Sequence, residues 1–369
     1  MRVERITLHL VRMKLVTPFA ASYGTHTERS SILVEATDAS GVTGWGECTA
    51  FEEPWYTEET VGTAWLIMEQ CLIPSLLGKE LTHPSDIPGL FAHVKRHPMA
   101  KAGLETAVWD MYCKQQGIPL SHALGGVRTE VASGVAVGLQ KSEADLFRMI
   151  EGYLEDGYRR VKVKIKPGSD IEVIRSIRSR FPELPLMADA NSAYGLDDIE
   201  HLTRLDEYQL LMVEQPFASD DIVDHAKLQR RIRTPVCLDE SIVTFDDARK
   251  ALELGSCGVI NVKLSRVGGL AESLRIHDLC VERGVPLWCG GMLETGIGRA
   301  HNIALASLAG FTIPGDISAS SRYWERDVIQ PEVTVKNGSI AVPAGAGIGY
   351  EVDREFIASV TERTSTYRK

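Results

Sequence analysis

The chain has 369 residues, of which 44% are hydrophobic and 24% charged; these are ordinary proportions for a globular protein, and they supply enough apolar material for a sizeable core. There are 40 basic and 50 acidic residues, a formal net charge of −10. This excludes a general affinity for nucleic acid or anionic membrane, because both require basic patches.

The length suggests two domains. The N-terminus, from Met1 to Thr7, is charged and alternating, as in a strand, and no apolar signal core follows it. No run reaches the roughly 18–20 apolar residues of a membrane span, so a cytoplasmic enzyme is expected. Residues 31–36 and 42–48 are apolar runs around Asp38-Ala-Ser-Gly41, a hairpin signal. Residues 57–72, 85–96 and 101–116 have a helical period, punctuated by Gly, Pro and His-Pro. Strands followed by helices suggest an α+β module.

From about Val131 the texture repeats. Apolar runs at 131–139, 160–165, 184–191, 210–215, 236–240, 258–264, 285–290 and 311–317 alternate with helical patterns at 170–181, 196–205, 245–254 and 270–283. Eight such units imply parallel strands with right-handed crossovers and suggest a closed barrel. The alternative, an open doubly wound sheet, lacks a Gly-x-Gly-x-x-Gly opening a helix near the start. After about residue 322 the alternation stops, and residues 333–342 look like a hairpin around Asn337-Gly338. The expected organisation is a capping module at 1–125, a barrel at 126–321 and a segment at 322–369 returning to the capping module.

Seven cysteines, at 48, 71, 113, 237, 257, 280 and 289, contain no Cys-x-x-Cys pair. They give neither a disulfide framework nor zinc-ribbon spacing, and they read as small core residues.

Five ionisable residues close successive apolar runs: Lys164, Asp189, Glu214, Asp239 and Lys263. Their spacings, by subtraction, are 25, 25, 25 and 24 residues, about one strand–helix unit each. One charged residue at a strand end is ordinarily a solvated loop residue or a helix cap, as Asp189 and Asp239 could be. Five in phase point instead to the C-terminal mouth of a barrel, where active sites are built. Three carboxylates from adjacent strands suit a hard divalent cation such as Mg²⁺, whereas zinc would favour His or Cys. Lys162 and Lys164 share one face of their strand, and two ammonium groups there, near a divalent cation, are expected to depress each other's pKa, leaving a neutral base. Lys263 lies four strands away, on the opposite side of the ring. Lys166 precedes Pro167-Gly168 and is expected in solvent. A metal flanked by two lysines suits removal of a proton next to a carboxylate.

These motifs, Lys162-x-Lys164, Asp189-Ala-Asn191, Glu214-Gln-Pro, Asp239-Glu-Ser and Lys263, resemble the signature of the muconate-lactonizing-enzyme subgroup of the enolase superfamily. Within it the chain is most similar to the o-succinylbenzoate synthases and N-acylamino acid racemases. Supporting stretches are Gly44-Trp-Gly-Glu-Cys, Ala102 to Asp110, Gly290 to Gly298 and the tail from Gly338 to Gly349.

The resemblance implies a modified (β/α)₇β TIM-type barrel with an α+β capping domain. It further implies Asp189, Glu214 and Asp239 as Mg²⁺ ligands, with Mn²⁺ or another divalent cation able to substitute. Lys164 would be the acid/base, aided by Lys162 and faced by Lys263. Asn191 and Glu240 would support the metal and lysines, and Arg266 would tune Lys263. The substrate would be a small carboxylate with a succinyl arm. It would be dehydrated to o-succinylbenzoate on the way to menaquinone, or racemised as an N-succinylamino acid, by a homo-oligomer. Capping loops set substrate choice in this family, so Pro18 to Gly24 is expected as a lid with Phe19 and Tyr23 touching ligand; a plain tight turn is the alternative. Met292 is expected in the pocket, and Trp288 either there or in the core.

Dipeptide epimerase would want a second acid in Gly315-Asp-Ile-Ser318, and mandelate-racemase chemistry a His in the seventh strand; neither is present. Muconate cycloisomerisation remains open. A non-catalytic binding barrel would predict a broken constellation.

Overall fold

The computed structural model describes residues 1–369 except Ser22, Tyr23, Leu139 and Lys141. The N-terminal sheet starts with β1 (Arg5–Ala21), β2 (Gly24–Thr37) and β3 (Thr43–Cys48), all antiparallel. Asp38 makes the β2–β3 turn by accepting the N–H groups of Ser40 (2.8 Å) and Val42 (2.9 Å), an Asx turn of the kind expected from Asp38-Ala-Ser-Gly41. Of the expected lid, Phe19–Ala21 continue β1 and pair with Gly24–His26. Tyr23 and the Phe19 side chain lie outside the described residues.

The sheet packs on α1 (Pro98–Gln116), which begins on a proline, ends at Gly117 with φ 67° and is buried along most of its length. That ending is a left-handed cap suited to glycine. Gly44 and Gly46 let the sheet approach this helix, because a Cβ there would lie 2.0 and 2.2 Å from the carbonyl oxygens of Ala107 and Gly103. The helices expected at 57–72 and 85–96 are more broken than their period suggests. Val61–Ile67 runs into a π-helical turn at Met68–Leu72, and only Ile87–Leu90 is α-helical in the second stretch.

Seven parallel strands follow: β4 (Val135–Val137), β5 (Val161–Lys164), β6 (Leu186–Asp189), β7 (Val213–Glu214), β8 (Val236–Leu238), β9 (Val259–Val262) and β10 (Leu287–Cys289). They are hydrogen-bonded in chain order into one curled sheet. The crossovers include α2 (Glu143–Glu155), α3 (Ile171–Arg180), α4 (Val223–Gln229), α5 (Phe245–Leu254), α6 (Leu270–Arg283) and α7 (Gly296–Ala306). Local sequence sets their ends. Thr244 and Asp247 form a capping box at the start of α5, and Gly255 and Gly284 take the left-handed residue after α5 and α6.

The eighth strand, expected at 311–317, is reduced to two parallel bridges, Leu287↔Phe311 and Ser133↔Gly315. They join this segment to both edges of the sheet and close the ring. Pro314 offers a physical reason for the weak pairing, since it has no N–H for a ladder. Met187, Met212, Cys237, Val259 and Trp288 form a separate buried cluster. Its members come from five successive strands or their approaches and fill the interior. Trp288 is wholly buried there.

The expected hairpin at 333–342 is corrected. Asn337 (φ 50°) and Gly338 (φ 70°) make the turn, and Lys336 and Ser339 exchange backbone hydrogen bonds across it. Pairing across the turn stops at Lys336↔Ser339, and Ser339–Ala341 pairs instead with Glu130–Ala132. The last strand, β11 (Thr361–Arg368), pairs antiparallel with β1. Among the described residues no helix is long and apolar enough to cross a membrane, and all seven cysteines are free thiols.

Candidate active site

The strand register explains why the five ionisable residues meet. Lys164 pairs with Asp189, Asp189 with Glu214, Glu214 with Cys237, and Cys237 with Val259. Asp239 is therefore two residues past that line and Lys263 four, after four steps around the ring. A stagger of about one residue per strand is what the tilt of an eight-stranded barrel of shear eight requires. The tilt thus brings all five to the same mouth, although their pairing rows differ.

Lys162 is buried, and its Nζ donates to Glu214 Oε2 at 3.0 Å, with Asp189 Oδ2 at 3.2 Å and Asp316 Oδ2 at 2.7 Å. Lys164 donates to Asp189 Oδ2 at 2.7 Å and to Asn191 Oδ1. Asn191 Nδ2 donates to Glu240 Oε1 at 3.0 Å, while Glu240 Oε2 is buried without a hydrogen-bond partner. Across the ring, Lys263 donates to Asp239 Oδ2 at 2.8 Å and to the Tyr56 hydroxyl at 2.9 Å. Arg266 is fully buried and donates to Asp239 Oδ1, to Tyr56 at 3.1 Å and to the Asn261 carbonyl at 2.6 Å. Asn261 Nδ2 bridges Glu214 Oε1 (2.8 Å) and Asp239 Oδ1 (3.0 Å).

Burial, then repulsion from Asp189 and Asp239, pushes the Glu214 carboxyl up to about 8, against the pull of Lys162. Burial and Asp239 likewise push Glu240 up to about 7. Burial also opposes ionisation of Asp239, but Lys263 and Arg266 outweigh it and hold that carboxyl below the usual range.

Burial favours neutral Lys162, yet Asp316, Glu214 and Asp189 hold it protonated, and Asp239 does the same for Lys263. The cations also stand between the acids. Among the described residues no three metal-ligating side chains converge on one point in this arrangement.

Lys162, Lys164, Lys263, Asp189, Asn191 and Met292 line a single cavity of about 70 Å³ beneath the capping domain, which contributes Phe51 and Tyr56. Lys166 is exposed, as expected. Trp288 lies below the cavity, with the Arg160 and Lys162 cations each 5.0 Å from its ring centroid, so it is core rather than lining.

Tyr56, Asn261, Asp316 and Arg322 escaped sequence reasoning. Asn261 was within reach, because it sits two residues before Lys263 and shares its strand face. Asp316 counts in sequence only as half of an absent Asp-x-Asp pair; in the structure it binds Lys162 and Arg160, each at 2.7 Å. Tyr56 and Arg322 come from segments with no periodic signal.

Residues 145–356 match the family described as enolase C-terminal domain-like, and residues 4–125 match the mandelate racemase / muconate lactonizing enzyme N-terminal domain. The chain belongs to the mandelate racemase / muconate lactonizing enzyme family of the enolase superfamily. It is 56% identical over 367 residues to an o-succinylbenzoate synthase of Geobacillus kaustophilus, covering 100% of this chain and 98% of the relative. It is 48% identical over 361 residues to an N-succinylamino acid racemase of Thermus thermophilus, covering 98% of each. A crystal structure of an enolase-superfamily member from Listeria innocua superposes with a TM-score of 0.97 at 41% identity, covering 100% of this chain and 99% of that one.

Proposed function

We propose that this protein is an o-succinylbenzoate synthase whose site also racemises N-succinylamino acids. The observation that carries the reading is the pair of lysines, Lys164 and Lys263, reaching one cavity from strands four apart, with three carboxylates on the strands between. Full-length similarity to proteins of both names supports it.

Asp189, Glu214 and Asp239 would hold a divalent cation, Mg²⁺ by preference. The donor set is all oxygen, and Glu214 sits buried beside Asp189 and Asp239, whose charges add to burial in raising its carboxyl. When bound, the cation supplies positive charge to the second negative oxygen that a carboxylate gains on losing its α-proton. Lys164 Nζ takes that proton. In the dehydration of 2-succinyl-6-hydroxy-2,4-cyclohexadiene-1-carboxylate, the C–O bond then breaks, and the hydroxyl takes the proton from the Lys164 ammonium and leaves as water. In racemisation, Lys263 Nζ returns a proton to the opposite face. Asn191 fixes Lys164, while Tyr56 and Arg266 fix Lys263 and its carboxylate partner Asp239. Unchanged kinetics in Arg266→Gln for both reactions would remove that role for Arg266.

The test is the ultraviolet loss of the cyclohexadiene substrate with purified protein and Mg²⁺. Turnover abolished by chelator and by Lys164→Ala is expected. No turnover by folded, metal-loaded protein would overturn the dehydration reading.

A further inference from the structure

Both proposed substrates carry two carboxylates: one next to the reacting carbon and one at the far end of the succinyl arm. The first is served by the lysines and the acids' cation site, which leaves the second to be accounted for. Four cations line the cavity: Lys162, Lys164, Lys263 and Arg322. Three of them are committed, Lys162 to Asp189, Glu214 and Asp316, Lys164 to Asp189 and Lys263 to Asp239. Arg322 forms no ion pair with any carboxylate among the described residues. Its NH2 donates to the Ala136 carbonyl at 2.5 Å, and its guanidinium lies 5.2 and 5.6 Å from the ring centroids of Tyr153 and Tyr323. The guanidinium is thus aimed and held by one backbone carbonyl and two rings, with donors left over for a ligand.

We infer that Arg322 is the specificity-determining residue that binds the distal carboxylate of the succinyl arm. This rests on the proposed substrates. A guanidinium matches a carboxylate in two parallel N–H···O bonds. Its place at the end of the short 3₁₀ turn Ser320–Arg322, just after the segment that closes the ring, puts it on the first-strand side of the cavity beside Ala136. Lys263 stands on the other side, four strands from Lys164. The arm therefore runs from the reacting carbon toward the first strand.

The experiment measures kcat/KM for racemisation of N-succinyl- and N-acetyl-phenylalanine, in wild type and in Arg322→Met and Arg322→Lys. The succinyl-over-acetyl preference is expected to fall about 10- to 100-fold in Arg322→Met, the range for a hydrogen bond to a charged group, and less in Arg322→Lys. Parallel loss on both substrates with the preference intact would show a structural role only and overturn the assignment. If Arg322→Met does not fold, wild type alone decides. The isosteric neutral succinamoyl derivative is expected to have a KM at least 10-fold above the succinyl compound, and equal KM values would overturn the inference. Wild type inactive on every acylamino acid and on the cyclohexadiene would instead sink the proposed function, a failure distinct from an unchanged preference.

Discussion

Lys164 and Lys263 are held by different networks on opposite sides of the cavity, so they are separable by mutation. Lys263→Ala is expected to lower racemisation by ~10²–10⁴-fold, the usual worth of a positioned acid/base. It should still exchange the α-proton of one enantiomer of an N-succinylamino acid in deuterated water, as read by NMR. Loss of exchange from both enantiomers would mean that Lys263 acts on the first proton transfer as well. Tyr56→Phe removes one hydroxyl that meets Lys263, Asp239 and Arg266. A fall in kcat of about 10-fold is expected, since one hydrogen bond to a charged group is worth ~1.5–3 kcal/mol. An unchanged kcat would show that Arg266, Lys263 and Asn261 position Asp239 without the Tyr56 hydroxyl. Lys164, Asp189, Glu214, Asp239 and Lys263 were legible in the sequence because a 25-residue rhythm needs no knowledge of packing, whereas Asp316 and Arg322 lie outside that rhythm. Tyr56 was not legible, because only the docking of the capping domain brings it over β9.

Individual elements carry features that sequence patterns record only in part. The Asn337-Gly338 turn was readable from its dipeptide, but the strand after it pairs with Glu130–Ala132. A turn signal fixes local backbone, whereas strand pairing is decided by whichever edge is free. Gly338 has φ 70°, and a Cβ there would lie 1.7 Å from the Gly157 carbonyl oxygen. Gly338→Ala is therefore expected to destabilise the protein by ~2 kcal/mol or more, combining the left-handed penalty of ~1–2 kcal/mol with the clash. Thermal unfolding measures this, and an unchanged midpoint would show that the turn opens without cost.

Across the whole molecule, carboxylates of the capping domain lock it to the barrel. Glu47 of β3 accepts the N–H groups of Thr295 and Gly298 at the start of α7 (3.0 Å each), and Glu105 of α1 accepts those of Leu270 (2.7 Å) and Ala271 (2.9 Å) at the start of α6. Both use helix N-termini, where unpaired N–H groups and the helix dipole favour an acceptor. The chain end is tied in by Arg354, whose guanidinium meets Glu35 of β2 at 3.0 Å. Burial opposes ionisation of Glu35, yet His9 and Arg354 outweigh it and bring the carboxyl down to about 2. A carboxyl depressed from its usual value of 4.5 stabilises the fold above pH 4.5, and that contribution is lost as pH falls toward 2. The difference in melting temperature between wild type and Glu35→Gln is thus expected to shrink from pH 6 to pH 3. A constant difference would show that the Glu35 charge is not coupled to folding.

The sequence by itself determined the alternation of strands and helices, the 25-residue rhythm of five ionisable residues and the hairpin at Asp38–Gly41, because each depends on spacing along one chain. The tertiary structure decided the rest. Barrel tilt set the stagger that aligns Asp239 and Lys263 with Lys164, and Pro314 accompanies an eighth strand reduced to bridges. The fold placed carboxylates around Lys162 and Lys263, and these hold both ammonium groups protonated against the pull of burial. Charge energies depend on what lies within a few ångströms in space, and neighbours such as Asp316, 154 positions from Lys162 by subtraction, meet only when the ring closes.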